Sequence, residues 1–337
     1  MFSARKRHSS VSVGVALLSV LALAWPTSGA TISAGDHHSL GVTTAFEALA
    51  WGRNQFGESV VPGSLGDVIA VSGGGLHSMA LRSDGTVAAW GQNTEGQTSV
   101  PVGLTDVTAI AAGGRHSLAL KSDGSVVGWG FNQHGEVNIP AGMGTVVQIA
   151  GGGLHSAALN DQGEVFVWGR NNVGQLNMPL GLGTVLSIGV GTGHNLVVLE
   201  DHTVTGWGQN DTGQLAVPAG LGNVVQVAGG TNHSIALKDD GTVVAWGDNS
   251  LGQLDVPAGL TDVVAIASGA YHNLALRSDG SVVGWGLNYF GQTDVPAETY
   301  LVQGGAAIPL PAAAWLGLPM LGLLAVRRAR KLLPMRY

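Results

Sequence analysis

The sequence predicts an all-β protein, a β-propeller of seven blades. Three observations carry that expectation. A 39-residue unit recurs seven times without insertion or deletion. Glycine supplies 54 of the 337 residues, far above the usual ~7%, and helix interiors could not absorb them at ~1 kcal/mol each. Each unit also alternates apolar and polar residues in short runs split by turn signals, with no 3.6-residue apolar period.

The repeat is defined by five residue types holding one register. Trp-Gly begins at Trp51, Trp90, Trp129, Trp168, Trp207, Trp246 and Trp285. An Asn follows each Trp by three residues, a Gly by six and a Pro by eleven. A His precedes it by thirteen, from His38 to His272. In the unit that ends at Pro140, residues 107–111, 116–120 and 125–129 read as three strands, with Asp123-Gly124 as the hairpin between the last two. Asn132 and Gly135 mark a turn. The segment ending at Ile139-Pro140 reads as a fourth, edge-like strand, because Pro is confined to edges.

Such a sheet cannot bury itself alone. Units of about 40 residues with short strands match propeller blades, and closing a ring hides most strand edges. A β-solenoid is the alternative architecture. The recurring Trp is expected as the apolar wedge between blades. How the ring closes stays open: residues 299–303 could pair with the first blade or lead into a linker.

The motif Gly-x-x-His-Ser-x-Ala-Leu, then Asp-Gly, Trp-Gly and Asn-x-x-Gly-Gln, resembles the RCC1-like repeat over residues 31–303. The blade endings, such as Asn288-Tyr289-Phe290-Gly291-Gln292-Thr293, are also similar to those of secreted bacterial β-lactamase-inhibitory propellers. That second resemblance implies aromatic loops crowded on one face, and an inhibitor as a possible function.

Charge and composition exclude several functions. Charged residues are 11% of the chain, and between residues 31 and 308 seven basic residues face all 22 acidic ones, a balance of −15. Such a surface repels phosphate backbones, so no nucleic acid is expected as partner. Cysteine is absent, which removes disulfides, zinc-thiolate sites and thiol chemistry.

No catalytic, metal or cofactor site emerges. Seven His at equivalent blade positions form a ring, whereas metal ligands must converge on one ion; hydrogen bonding within each blade is their expected role. His-Ser neighbours such as His116-Ser117 point to opposite strand faces, unsuited to a nucleophile and its base.

Binding residues are sought instead where repeats disagree, in loops held by a rigid scaffold. Just before each repeated His stand His37, Leu76, Arg115, Leu154, Gly193, Asn232 and Tyr271. Two residues after each Trp stand Arg53, Gln92, Phe131, Arg170, Gln209, Asp248 and Leu287. The Asn turns vary too, with Phe56, Tyr289 and Phe290 among them. From these sets Phe56, Leu76, Arg115, Phe131, Leu154, Arg170, Tyr271, Tyr289 and Phe290 are the candidate partner-binding residues, Tyr, Phe and Arg being hot-spot types.

Both ends read as membrane-directed. Residues 1–30 have the form of a signal peptide: Arg5-Lys6-Arg7, an apolar stretch over 11–25, and small residues before a cut after Ala30; a permanent anchor is the alternative. Residues 308–326 form an uncharged span followed by Arg327, Arg328, Arg330 and Lys331, read as a C-terminal hydrophobic helix. With Pro309 and Pro311 in Ile308-Pro309-Leu310-Pro311-Ala312, residues 304–337 resemble the VPLPA variant of the PEP-CTERM sorting signal, with Ile308 in place of Val and a tail running past the basic cluster. The resemblance implies an exosortase-like processing enzyme, a bacterial envelope location and a possible exopolysaccharide association. The alternative is a plain anchor. Together these readings predict an exported, envelope-sorted, non-enzymatic binding module for an extracytoplasmic protein, with an enzyme inhibitor or an exopolysaccharide-associated matrix protein as alternatives.

Overall fold

The computed structural model describes residues 31–302 apart from Ser64, Glu298 and Thr299. The segments read as a signal peptide (1–30) and as a sorting signal with a C-terminal hydrophobic helix (304–337) lie outside the described residues. Within them the chain forms seven three-stranded antiparallel sheets, one per repeat. In the second blade the inner strand is Val68–Gly73, the middle strand His77–Arg82 and the outer strand Val87–Gly91. The seven inner strands contact one another around a common axis, the last against the first. The seven-bladed propeller expected from the repeat is the observed fold.

Each blade is packed through the face it turns to its neighbour. Trp129 of the third blade sits in a cluster with Met79, Leu81 and Val87 of the second. Trp90 does the same with Leu40 and Val42 of the first. The repeated Trp is thus the inter-blade wedge, and its indole N–H is satisfied: Trp129 Nε1 donates to the Gln97 carbonyl at 2.9 Å.

The fourth strand does not form. After the Asn turn the backbone bonds to itself, Asn138 N–H donating to the Gly135 carbonyl and Ile139 N–H to that of Val137. Asn132 holds the turn, its Oδ1 accepting from Val137 N–H and its Nδ2 donating to Asn138. These short-range bonds consume the groups a ladder would need. The segment instead covers the outer strand by side-chain packing, with Val137 lying where a Cβ on Gly128 would fall, 2.9 Å away.

Ring closure is resolved in favour of pairing with the first blade. In blades two to seven the inner strand begins with a Val whose partner ends the middle strand, as Val68 pairs with Arg82. The first blade's inner strand, Ile32–Ala34, is short, and the missing place opposite Thr43 is taken by Leu301. Val302 N–H then donates to the Val42 carbonyl and Leu301 N–H to that of Gly280. Leu301 is buried with Ile32, Trp51, Leu274 and Leu276, between the last blade and the first.

Candidate binding face

Two kinds of loop meet at one end of the propeller: the turn between inner and middle strands, and the Asn turn after the outer strand. One backbone bond per blade ties them together. The residue after Trp-Gly donates its N–H to the carbonyl of the residue before the repeated His, as Arg53 to His37, Phe131 to Arg115 and Leu287 to Tyr271. The glycine of Trp-Gly makes that return possible. Gly91 has φ of 98°, and a Cβ there would fall 2.8 Å from the Leu76 carbonyl oxygen. The two variable positions found in sequence are therefore neighbours in every blade.

A second layer holds these loops from beneath. His116 Nε2 lies 2.9 Å from Ser156 Oγ, one blade further on. Ser156 Oγ donates to the Glu136 carbonyl, which also accepts Trp168 Nε1. Since the hydroxyl proton is spent on the carbonyl, Ser156 accepts from a protonated Nε2. Asn replaces Ser in two places: Asn195 Oδ1 takes the His155 bond and its Nδ2 donates to the Gln175 carbonyl, and Asn273 does the same for His233. His272 bonds Ser39 and so completes the circle.

The expected hydrogen bonding within each blade is therefore corrected. The histidine bond crosses to the next blade, and the edge of the imidazole fills the space left by the Gly three residues before it: a Cβ on Gly113 would fall 2.2 Å from His116 Cε1. Burial pushes the imidazoles down to about 3 for His77, His116, His194 and His272 and about 4 for His38 and His155, with His233 lowered for the same reason. Neutral, buried and donating, they cannot serve as bases toward the serines they touch. Among the described residues, no group of three His, Asp or Glu side chains could hold a metal ion.

The candidate residues collect on this face, most densely at the seam between the seventh blade and the first. His37 stacks on Tyr271 at 6.0 Å between centroids and meets the edge of Phe290 at 5.4 Å. Tyr289 packs edge-on against Phe290 at 4.9 Å, and the Arg53 guanidinium covers the Phe290 ring at 5.7 Å. Tyr289 is 82% exposed, Phe290 41% and Phe56 40%. Leu76 and Leu154 are half-buried and Arg115 is exposed. Phe131 departs from the rest. Only 8% exposed, it turns inward against His134 and offers little contact surface. Tyr271, Tyr289 and Phe290 come together; Arg115, Leu154 and Arg170 stand apart from them on other blades.

Sequence reading missed what anchors the cluster. Glu58, fully buried, accepts from Phe56 N–H at 2.6 Å and lies 3.8 Å from Arg53 Nε. Its signal was visible: five of the seven repeats carry Gln at this position, and Glu58 and Glu136 depart from it. Burial lowers the His37 imidazole, against the pull of Asp36, and raises the Asp36 carboxyl. At the axis the turns of all seven blades enclose only a shallow dish of about 70 Å³ lined largely by glycine.

The opposite face differs in kind. Its Asp-Gly hairpins are closed locally, Asp123 Oδ1 accepting from Ser125 N–H and Oγ–H, which holds the carboxyl below its ordinary value.

A family model described as "Regulator of chromosome condensation (RCC1) repeat" matches residues 68–97, 107–136, 146–175, 224–253 and 263–292. No curated protein matches in sequence. Among solved structures, Prp20p from Saccharomyces cerevisiae is similar with a TM-score of 0.65 at 20% identity, over 74% of this chain and 83% of its own. The CRINKLY WD40 ectodomain of the Arabidopsis thaliana receptor kinase ACR4 gives 0.64 at 23% identity, over 81% of this chain and 98% of its own. Human WBSCR16 gives 0.61 at 23% identity, over 70% and 81%. Repeat match, blade geometry and fold similarity agree that this chain carries RCC1-like repeats folded as an RCC1-type propeller.

Proposed function

We propose that the chain is an exported, non-enzymatic binding module that presents this variable face to an extracytoplasmic protein. The observation that carries the reading is the cluster of His37, Arg53, Tyr271, Tyr289 and Phe290 on loops tied by backbone bonds and the histidine layer below. Aromatic and Arg side chains on a pre-organised surface bind with little ordering cost. Prp20p is described with binding properties to Gsp1p and histones; at 20% identity the likeness supports the scaffold, not those partners.

Geometry also suits a tethered module. Thr31, whose carbonyl accepts from Val42 N–H, and Leu301, opposite Thr43, both lie at the end away from the variable loops. Segments 1–30 and 304–337, read as export and envelope-sorting signals handled by an exosortase-like enzyme, would then leave the aromatic face free.

The test is affinity capture with full-length protein from its own envelope and secreted fractions. A stoichiometric protein should be recovered, lost on replacing Tyr271, Tyr289 and Phe290 with Ala and retained by Leu180→Ala on the opposite face. Polysaccharide alone, or a partner indifferent to the triple variant, would sink the assignment; polysaccharide would move the weight to a matrix role.

A further inference from the structure

Arg53 and Arg170 occupy the same repeat position in the first and fourth blades, yet their surroundings differ at one framework residue. Five positions on from Arg53 stands Glu58, 3.8 Å from its guanidinium. Five positions on from Arg170 stands Gln175, whose amide is already committed: Oε1 accepts from Val173 N–H and Nε2 donates to Asn172 Oδ1. Arg115, the third arginine of this face, lies 4.0 Å from Glu95. Arg170 meets no hydrogen-bond or ion-pair partner for its guanidinium among the described residues.

The space beside it is equally unusual. Six repeats place a side chain just before the repeated His; the fifth has Gly193. The backbone does not demand glycine there, since Gly193 is not among the residues with positive φ. What glycine provides is room. A Cβ would fall 2.6 Å from Gln209 Oε1 and 3.4 Å from Val173 Cγ2. Without it a hollow of about 250 Å³ opens between the fourth and fifth blades, lined by Leu154, Arg170, Asn172, Val173, Thr192 and Gln209 among others. It is smaller than the roughly 300–1,000 Å³ of sites for drug-sized molecules, which suits one side chain. Its chemistry is a planar cation with free donors beside two apolar walls, Leu154 and Val173. An unpaired guanidinium in a partly desolvated recess gains most from a planar anion accepting two parallel N–H bonds.

We propose that this hollow is a subsite for a single carboxylate, the aspartate or glutamate side chain of a protein docked on the variable face. The inference rests on the protein-binding reading of that face for the source of the carboxylate, and on Arg170 and Gly193 alone for the site. The carboxylate sits against Arg170 with its methylene groups between Leu154 and Val173, and the aromatic seam across the face supplies the apolar part of the same interface.

The test uses the full-length protein, labelled with ¹⁵N, and defined probes. N-acetyl-glutamate N-methylamide should give saturable amide shifts at Val173, Thr192 and Gly193, and the glutamine analogue should give none. Arg170→Gln should weaken the glutamate response about tenfold or more, as expected for a lost charge-assisted contact, while the remaining spectrum keeps its dispersion. Gly193→Leu should abolish it by filling the hollow. Equal response to the glutamine probe, an unchanged response in Arg170→Gln, or no saturable shift would overturn the subsite and leave protein binding at the aromatic seam standing. Preference for galacturonate would overturn the protein source in favour of an acidic polysaccharide. Failure of protein capture beside an intact glutamate response would count against the partner, not the pocket.

Discussion

Ser156 shows how much one hydroxyl carries in this fold. It accepts from His116 of the preceding blade and donates to the Glu136 carbonyl, so it joins two blades at a site with no access to water. Ser156→Ala leaves the His116 N–H unpaired, and unsatisfied buried groups cost roughly 1–3 kcal/mol each. A loss of about 2–3 kcal/mol is expected in urea unfolding followed by tryptophan fluorescence. Ser156→Asn should cost less than the alanine variant, because Asn195 and Asn273 already bridge the same two groups with Oδ1 and Nδ2. The reverse order of the two variants would contradict the bridging role. Sequence made both residue types visible but not the bond. A serine one residue after its own His and a serine 40 residues on occupy the same repeat register, so spacing alone cannot say which one the imidazole reaches. Phe131 differs for a related reason: the variable set marks position along the chain, not whether the side chain at that position is buried, as Phe131 is at 8% exposure.

At the scale of the element, the closing segment stands apart. Six inner strands are continuous, while the first is assembled from both ends of the described chain, Ile32–Ala34 and the Leu301-Val302 pair. Leu301 is 1% exposed and its side chain fills the space that Gly41 leaves, within 2.5 Å of where a Cβ would be. Removing a fully buried Leu side chain costs roughly 2–5 kcal/mol. Leu301→Ala should therefore destabilise within that range, and hydrogen exchange should rise first in strands Ile32–Ala34 and His38–Val42 rather than uniformly. Uniform exchange would show that the seam is no weaker than the other six junctions. The repeat made blades one to seven legible because Trp, Asn, Gly, Pro and His all mark it. Residues 299–303 carry none of these marks, and only the gap left by a short first strand gives Leu301 and Val302 a place. The fourth strand expected to end at Pro140 is absent for a local reason: Asn132 bonds its own neighbourhood and closes the backbone before a ladder can extend.

For the whole molecule, seven buried imidazoles make stability a steep function of acidity. Each has a folded value lowered by burial from an ordinary 6.5. A base depressed in the folded state is protonated first in the unfolded chain, so acid favours unfolding. The stability is whole above 6.5 and is lost as pH falls from there, through about 4 for His38 and His155, toward about 3 for His77, His116, His194 and His272. Each group contributes up to ~1.4 kcal/mol per pH unit in that window. Several such groups titrating together are comparable to the roughly 5–15 kcal/mol total stability of an ordinary domain. Surface charge works the other way, because neutralising the acidic excess between residues 31 and 308 relieves self-repulsion as pH falls. The hairpin carboxylates that are held low, such as Asp84 and Asp279, begin to give up their stabilisation only below their ordinary 3.8, at the acid end of the histidine window. A cooperative transition is expected between pH 6.5 and about 4, read by tryptophan fluorescence and far-ultraviolet circular dichroism during acid titration. His116→Gln should reduce the protons taken up on unfolding by about one, since the amide can still donate to Ser156 but no longer titrates. Stability that stays flat from pH 7 to 4.5 would mean that the imidazoles accept protons without breaking their inter-blade bonds, and the layer beneath the binding face would then be far more tolerant than its burial implies.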